Sequence, residues 1–131
     1  MSPGAAGYVL AFDYGERHIG VAVGQTVTAT ANPLTTLRAR NGRPDWNVVA
    51  RLVREWRPVL LVVGLPLNMD DTESDMSARA TAFARDLERR TGVATRLVDE
   101  RLTTRAAREQ DPDRAHELAA VLIAESAMNE P

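Results

Sequence analysis

Two short apolar segments near the start of the chain are separated by only five residues, and this spacing limits the possible folds. Residues 8–12 (YVLAF) and 18–23 (HIGVAV) each have the length and composition of a strand. A connection this short makes the two strands antiparallel neighbours, because a parallel connection needs a crossover of a dozen or more residues. The chain is therefore predicted to begin with a β-hairpin, and Asp13 stands where the first strand ends.

The rest of the sequence alternates between strand-like and helix-like patterns. Helices are indicated by apolar residues that recur at intervals of three and four, and strands by short apolar runs between turn residues. The predicted elements are a weak strand within residues 26–37 interrupted by Asn32-Pro33, a turn at 41–44, a helix over 45–56, a strand over 59–63, a helix from 74 or 75 to 91, a strand over 93–98 and a helix over 111–127.

Each predicted helix has a set of apolar residues that should face the core. The expected buried positions are Trp46, Val49, Leu52, Val53 and Trp56 in the first helix, Met76, Ala80, Phe83, Ala84 and Leu87 in the second, and Ala115, Leu118, Ala119 and Leu122 in the last. The strand over residues 59–63 (VLLVV) is apolar on both faces, which is typical of a central parallel strand covered by helices.

Three strands in antiparallel series followed by two helix–strand units predict an α/β fold. We expect a five-stranded mixed sheet with strand order 3-2-1-4-5 and helices on both faces. The length of 131 residues suits a single domain over residues 1–131, with residues 1–7 forming a loose tail.

Composition excludes several classes of protein. The chain has no cysteine, which rules out disulfides and thiolate metal sites and agrees with a cytoplasmic location. It has no apolar run near the roughly 18 residues that a membrane span needs, so we expect no membrane partner. The net charge of −2 argues against a strongly basic nucleic-acid binder. All 16 cationic residues are arginine, which suits bidentate phosphate contacts, although compositional bias of the genome is the simpler explanation.

Two carboxylates are predicted to meet at one edge of the sheet. Asp13 ends the first strand and Glu100 follows the fifth, and ligands of open α/β sheets gather at the carboxyl ends of parallel strands. With strands about 4.8 Å apart, the two backbones would lie roughly 10 Å from each other, which two side chains can bridge around a hydrated divalent ion. The alternative is that Asp13 is an ordinary turn residue and that Glu100 pairs with an arginine.

Four segments of the chain resemble a known family. Residues 11–22 (AFDYGERHIGVA) are similar to the opening motif of the YqgF/RuvX family, relatives of the RuvC resolvase in the RNase H-like superfamily. The family's next three blocks resemble residues 62–70 (VVGLPLNMD), 97–104 (LVDERLTT) and 118–123 (LAAVLI). The blocks occur in the family's order and span nearly the whole chain, so the resemblance implies an RNase H-like fold.

The resemblance also implies a function. Members of this family are described as metal-dependent nucleases that hydrolyse phosphodiester bonds and mature the 5′ end of pre-16S rRNA. One alternative is a Holliday junction resolvase-like DNA nuclease, and another is an RNA- or ribosome-associated binding module with impaired catalysis. The implied partner is nucleic acid, either structured RNA or DNA junctions. The protein would be a monomer or a homodimer, since a junction resolvase needs two active sites.

The family's functional residues can be carried over onto this sequence. The resemblance implies that Asp13 and Glu100 hold a divalent metal ion, Mn²⁺ or Mg²⁺, and that Arg17 and Arg101 contact phosphate oxygens. Asn68 would line the same cleft.

One position departs from the family's pattern. His116 stands where the family usually has a third carboxylate, two residues before the Leu118 block. Three interpretations remain open. The imidazole of His116 could bind the metal, which would favour Mn²⁺ over Mg²⁺. Asp113, one helical turn earlier, could supply the missing carboxylate. The third interpretation is that the site is impaired and that the protein mainly binds its partner.

Overall fold

The computed structural model describes residues 7–65, 75–99 and 115–129, and it confirms the α/β architecture. The strands are β1 (Tyr8–Asp13), β2 (His18–Gln25), β3 (Thr30–Arg40), β4 (Arg43–Pro44), β5 (Leu60–Leu65) and β6 (Thr95–Asp99). The helices are α1 (Trp46–Trp56), α2 (Asp75–Thr91) and α3 (Ala115–Asn129). None of these three helices is long and apolar enough to cross a membrane.

The sheet has six strands in the order β4-β3-β2-β1-β5-β6, so the prediction of five strands was wrong. The five longer strands follow the predicted order, with β1 antiparallel to β2 and parallel to β5. The additional strand, β4, falls in a segment that was predicted to be only a turn. Asn41 and Gly42 both have positive φ angles, of 53° and 77°, as a tight hairpin turn requires. This turn brings Arg43 and Pro44 back alongside β3.

Strand β3 also differs from its prediction, because it runs without interruption through Asn32 and Pro33. Pro33 lies opposite Ala22, where the register between β2 and β3 shifts by one residue. The other side of β3 is paired with β4 only at Ala39 and Arg40, so the strand is an edge strand at Pro33. A proline is tolerated there because its missing N–H removes no ladder hydrogen bond.

Helices α1 and α2 cover one face of the sheet. The Asp45 side chain caps α1 by accepting a hydrogen bond of 2.9 Å from the backbone N–H of Asn47. Of the predicted α1 face, Val49 is fully buried and the other four residues are half-buried against the core. In α2, Met76 is half-buried and the other predicted positions are buried, namely Ala80, Phe83, Ala84 and Leu87.

Helix α3 covers the opposite face, where it packs mainly on β2, β3 and β1. The predicted burial of Leu118 and Leu122 was wrong, since both are only half-buried. The buried positions are Ala115, Ala119, Ala120, Ile123, Ala124 and Ala127. Because α3 is apolar on nearly all sides, its periodicity does not distinguish the face that meets the sheet. Five of these six residues are alanine, and their small side chains allow the helix to approach closely.

The closest approach between α3 and the sheet is at Gly20 of β2. A Cβ atom at this position would lie 1.9 Å from the backbone oxygen of His116, which is far inside van der Waals contact. Gly24 lies on the same face of β2, but a Cβ there would meet only the flexible end of Met128, 2.8 Å from its Cε. Gly20 therefore sets the distance between the first turn of α3 and the sheet.

We expect Gly20→Ala to lower the free energy of unfolding by about 3 kcal/mol, because the added methyl collides with a helix backbone that cannot rotate away. Gly24→Ala is the matched control and should change it by less than about 1 kcal/mol, since the Met128 side chain can move. Urea denaturation measures both values. Equal stability of the two variants would contradict the role given to Gly20.

Candidate active site

Asp13 is the last residue of β1 and is 1% exposed. It pairs in register with Gly20 and lies on the face of the sheet that α3 covers. Strand β6 runs parallel to β5, as β1 does, and ends at Asp99, one residue before Glu100. The carboxyl ends of β1 and β6 therefore lie at the same edge of the sheet, as the sequence indicated. Glu100 itself lies outside the described residues.

His116, the second residue of α3, lies beside Asp13. Its Nδ1 atom is 3.5 Å from Oδ2 of Asp13, although the two residues are far apart in the sequence. This Nδ1 atom is buried and forms no hydrogen bond with the described residues, whereas a third of the side chain as a whole is exposed. The structure thus brings Asp13, a predicted metal ligand, together with His116, for which metal binding was one of three interpretations.

His18 is a neighbour of this pair that the sequence analysis did not identify. Its ring stacks on the ring of His116, with centroids 5.3 Å apart and an angle of 27° between the planes. These are the only two histidines in the chain. The alternation of side chains along β2 offered a signal, because His18 is two residues before Gly20 and so shares the face of the sheet that holds Asp13.

The first turn of α3 is held in place by a second contact. The Thr36 hydroxyl on β3 donates a hydrogen bond of 3.0 Å to Oε2 of Glu117, which is partly buried. A carboxylate in the first turn of a helix also interacts favourably with the helix dipole. Together with the close packing at Gly20, this bond fixes the start of α3 and therefore the position of the neighbouring His116.

The other predicted site residues are only partly covered by the structure. Arg17 lies in the exposed turn between β1 and β2, where its backbone oxygen accepts a hydrogen bond of 2.8 Å from Ala39. The remaining predicted residues, Asn68, Glu100, Arg101 and Asp113, lie outside the described residues. Within residues 7–65, 75–99 and 115–129, no group of three His, Asp or Glu side chains could hold a metal ion.

The described part of the site is a carboxylate next to an imidazole, and this donor set is compatible with a divalent cation. Carboxylate oxygen is a preferred ligand of Mg²⁺ and Mn²⁺, and imidazole nitrogen suits the later transition metals better. Two ligands bound at about 2.1 Å in octahedral geometry lie about 3 Å apart, so a separation of 3.5 Å requires only a small movement. The buried Nδ1 of His116 has no competing hydrogen bond among the described residues.

The stacking of the two histidines can be tested by proton NMR. We expect His18→Ala to shift the Hε1 resonance of His116, because that ring loses an aromatic neighbour at 5.3 Å. The assignment is simple, since the variant has one histidine. Arg17→Ala, a change at the exposed residue next to His18, is the control and should leave the resonance in place. An unchanged His116 signal in His18→Ala would exclude the stacked arrangement in solution.

The chain is similar to one family of known proteins along almost its whole length. The model of the family described as "RuvX: Holliday junction resolvase" matches residues 7–130. A protein of Acinetobacter baylyi named "Putative pre-16S rRNA nuclease" is 48% identical over 123 residues, covering 90% of this chain and 84% of the relative. Proteins of the same name from Nitrosococcus oceani and Klebsiella pneumoniae are 55% identical, over 83% and 79% of this chain and 72% and 75% of their own lengths.

Solved structures agree on the fold. RuvC of Thermus thermophilus in complex with a Holliday junction substrate has a TM-score of 0.61 at 16% identity, covering 92% of this chain and 93% of the other. The fowlpox virus resolvase, solved with Holliday junction DNA, has a TM-score of 0.53 at 9% identity and covers 92% of this chain and 96% of its own. The extent of the family match and the identity to these relatives together show that the chain belongs to the RuvX family.

Proposed function

We propose that this protein is a metal-dependent nuclease that hydrolyses phosphodiester bonds at Asp13, with pre-16S rRNA as its substrate. The observation that carries the proposal is the buried Asp13 carboxylate at the carboxyl edge of the sheet, with His116 at 3.5 Å. Membership of the RuvX family and relatives named for pre-16S rRNA support this choice of substrate. We further propose that residues 1–131 act as one RNase H-like domain in the cytoplasm.

The proposed metal ligands are Asp13, Glu100 and His116, with Asp113 as the alternative third carboxylate. A bound divalent ion would supply Lewis-acid activation of the attacking water and would stabilise charge on the leaving oxygen. Asp13 suits the role of an anchoring ligand because it is almost fully buried and rigidly held at a strand end. His116 suits the role of a ligand because its Nδ1 lies beside Asp13. The packing at Gly20 and the Thr36–Glu117 hydrogen bond fix the turn of α3 that carries this residue.

The other proposed site residues act on the substrate. Arg17 and Arg101 would hold phosphate oxygens, since a guanidinium donates two parallel hydrogen bonds to a phosphate. The exposure of Arg17, and the absence of an ion pair between it and any described residue, leave its side chain available for this. Asn68 would line the cleft. Burial of Asp13 beneath α3 keeps bulk water away and strengthens its interaction with a cation.

Asp13→Asn should abolish cleavage, because the amide keeps the shape of the side chain but loses the charge that anchors a cation. We expect the cleavage rate to fall by more than about 100-fold. Changes to residues that only support a metal ligand cost up to about 100-fold, and the loss of the ligand itself should cost more. Gel analysis of a 5′-labelled pre-16S leader RNA measures it. Asp45→Asn is the control, since asparagine also caps a helix well and Asp45 is the cap of α1. A fully active Asp13→Asn protein would overturn the proposal.

His116 decides which metal ion supports activity. If its imidazole is a ligand, the wild type should be more active with Mn²⁺ than with Mg²⁺, and His116→Ala should lose most of its activity with Mn²⁺. His116→Asp should regain activity with Mg²⁺, because it restores an oxygen ligand. The same RNA cleavage assay with each ion gives the answer. Equal activity of His116→Ala and the wild type would exclude His116 as a ligand and favour Asp113.

The departure at His116 also supports a second candidate function. A protein that binds the leader RNA but cleaves neither RNA nor DNA with either ion would be a binding module with an impaired site. Cleavage of a four-way DNA junction in preference to RNA would instead identify a resolvase-like enzyme. That activity requires two active sites, so the mass in solution should then be that of a dimer.

A further inference from the structure

A groove lies on the face of the sheet opposite the Asp13 side chain. It is formed by the β3–β4 turn, the start of α1 and the outer side of α2, and its volume is about 960 Å³. We call it the arginine groove. The lining residues that matter for binding are Tyr14, Arg40, Arg43, Trp46, Asp86 and Arg90.

The groove is strongly positive, although the chain as a whole carries a net charge of −2. Four arginines line it against a single carboxylate, Asp86. That carboxylate is already ion-paired with Arg89, and Arg79 is ion-paired with Glu16. The other three arginines, Arg40, Arg43 and Arg90, form no ion pair with any residue that the structure describes. Their charges therefore face the groove without being ion-paired to a described carboxylate.

The backbone places two of these arginines opposite each other on neighbouring strands. Arg40 and Arg43 are directly opposed across the two-residue turn between β3 and β4. Like charges in this position destabilise a strand pair, so the arrangement costs free energy in the absence of an anion. An anionic group bound between the two guanidinium groups would relieve this repulsion. Such local conflicts in folded proteins are concentrated at functional sites.

The turn that carries the two arginines is fixed in place. A Cβ atom on Gly42 would lie 1.7 Å from the hydroxyl oxygen of Tyr14, so the turn packs tightly over this side chain. The Arg79 guanidinium also donates a hydrogen bond of 2.8 Å to the backbone oxygen of Asn41. The backbone that holds the opposed arginines is thus pre-organised, which lowers the entropic cost of binding a ligand.

The aromatic residues of the groove favour recognition of phosphate over recognition of bases. Phe83 stacks on Trp46 with ring centroids 5.7 Å apart, and the Arg90 guanidinium lies 4.4 Å from the centre of the Trp46 ring. Both partners contact the Trp46 ring, so a stacked base would have to compete with them. The cation–π contact instead positions the charge of Arg90 at the groove.

The dimensions and position of the groove suit a polyanionic strand. Arg79 and Arg90 are eleven residues apart on α2, which corresponds to about 16 Å along the helix. This length can accommodate several phosphates of a strand, at about 3.4 Å per nucleotide along a duplex. Tyr14 connects the groove to the active site, because it lines the groove and directly follows Asp13 in the sequence.

We propose that the arginine groove binds the sugar–phosphate backbone of the nucleic-acid substrate at nucleotides away from the cleaved bond. The inference rests on the proposed nuclease function and adds a second contact surface, carried by Arg40, Arg43 and Arg90. The strand passes the sheet edge at Asp13 and continues along the groove on the other face. Recognition there depends on charge and not on base sequence.

The test compares RNA binding of the wild-type protein and its Arg40→Gln/Arg43→Gln variant in EDTA, where cleavage cannot consume the probe. The probe is a fluorescein-labelled RNA hairpin with a long single-stranded extension, and anisotropy gives the dissociation constant at several salt concentrations. We expect the variant to bind about tenfold more weakly. The plot of the logarithm of the binding constant against the logarithm of the salt concentration should become less steep, by about 0.7 to 0.9 for each phosphate contact that is lost.

Two further variants control for general effects. Arg51→Gln/Arg54→Gln removes two exposed charges from α1 outside the groove and should bind RNA nearly as well as the wild type. Arg40→Lys/Arg43→Lys keeps both charges and should retain most of the affinity and the salt slope. The thermal unfolding temperature of each variant should match that of the wild type, which checks that the fold is kept.

The outcomes separate this inference from the proposed function. If the wild type cleaves RNA and Asp13→Asn does not, but Arg40→Gln/Arg43→Gln binds with unchanged affinity and salt slope, the groove inference is wrong and the nuclease function stands. An equal loss of RNA affinity in Arg51→Gln/Arg54→Gln would also overturn the groove inference, because the loss would then reflect the total charge of the protein. If groove variants bind weakly while the wild type binds RNA without cleaving it, the groove is supported and the nuclease function is not.

Discussion

The close contact between β2 and the first turn of α3 is the constraint on which the candidate site depends. Gly20 allows the backbone of His116 to approach the sheet to a distance that any side chain would prevent. The alanines of α3 continue this close packing along the helix. Because packed interiors leave few voids, a larger residue at Gly20 would move the helix and the imidazole it carries. The position of His116 beside Asp13 is therefore a consequence of backbone packing.

The two faces of the sheet provide different electrostatic environments within a few residues of Asp13. The face under α3 buries this carboxylate next to an imidazole, which suits a cation. The face under α1 and α2 carries the arginine groove, which suits an anion. Tyr14 follows Asp13 and its side chain belongs to the opposite face, since successive residues of an extended chain alternate. The end of one strand thus separates surroundings that suit a cation from surroundings that suit an anion.

Much of the fold could be predicted because its signals are local. The short connection before His18 imposes an antiparallel hairpin, and the doubly apolar strand at residues 59–63 indicates a central parallel strand. Strand β4 was missed because a two-residue strand has no periodicity of its own. The buried face of α3 was predicted incorrectly at Leu118 and Leu122, because a helix that is apolar all round does not show which side meets the sheet.

By itself, the sequence determined the order of the five longer strands, the place of Asp13 at a strand end and the presence of a histidine at position 116. These follow from chain connectivity and from residue type, which do not depend on long-range packing. Only the tertiary structure decided that His18 stacks on His116, and that Arg40 and Arg43 oppose each other above Tyr14. Such contacts arise from the twist of the sheet, the depth at which a helix packs and the angles of one turn, and none of these has a signature in spacing or composition.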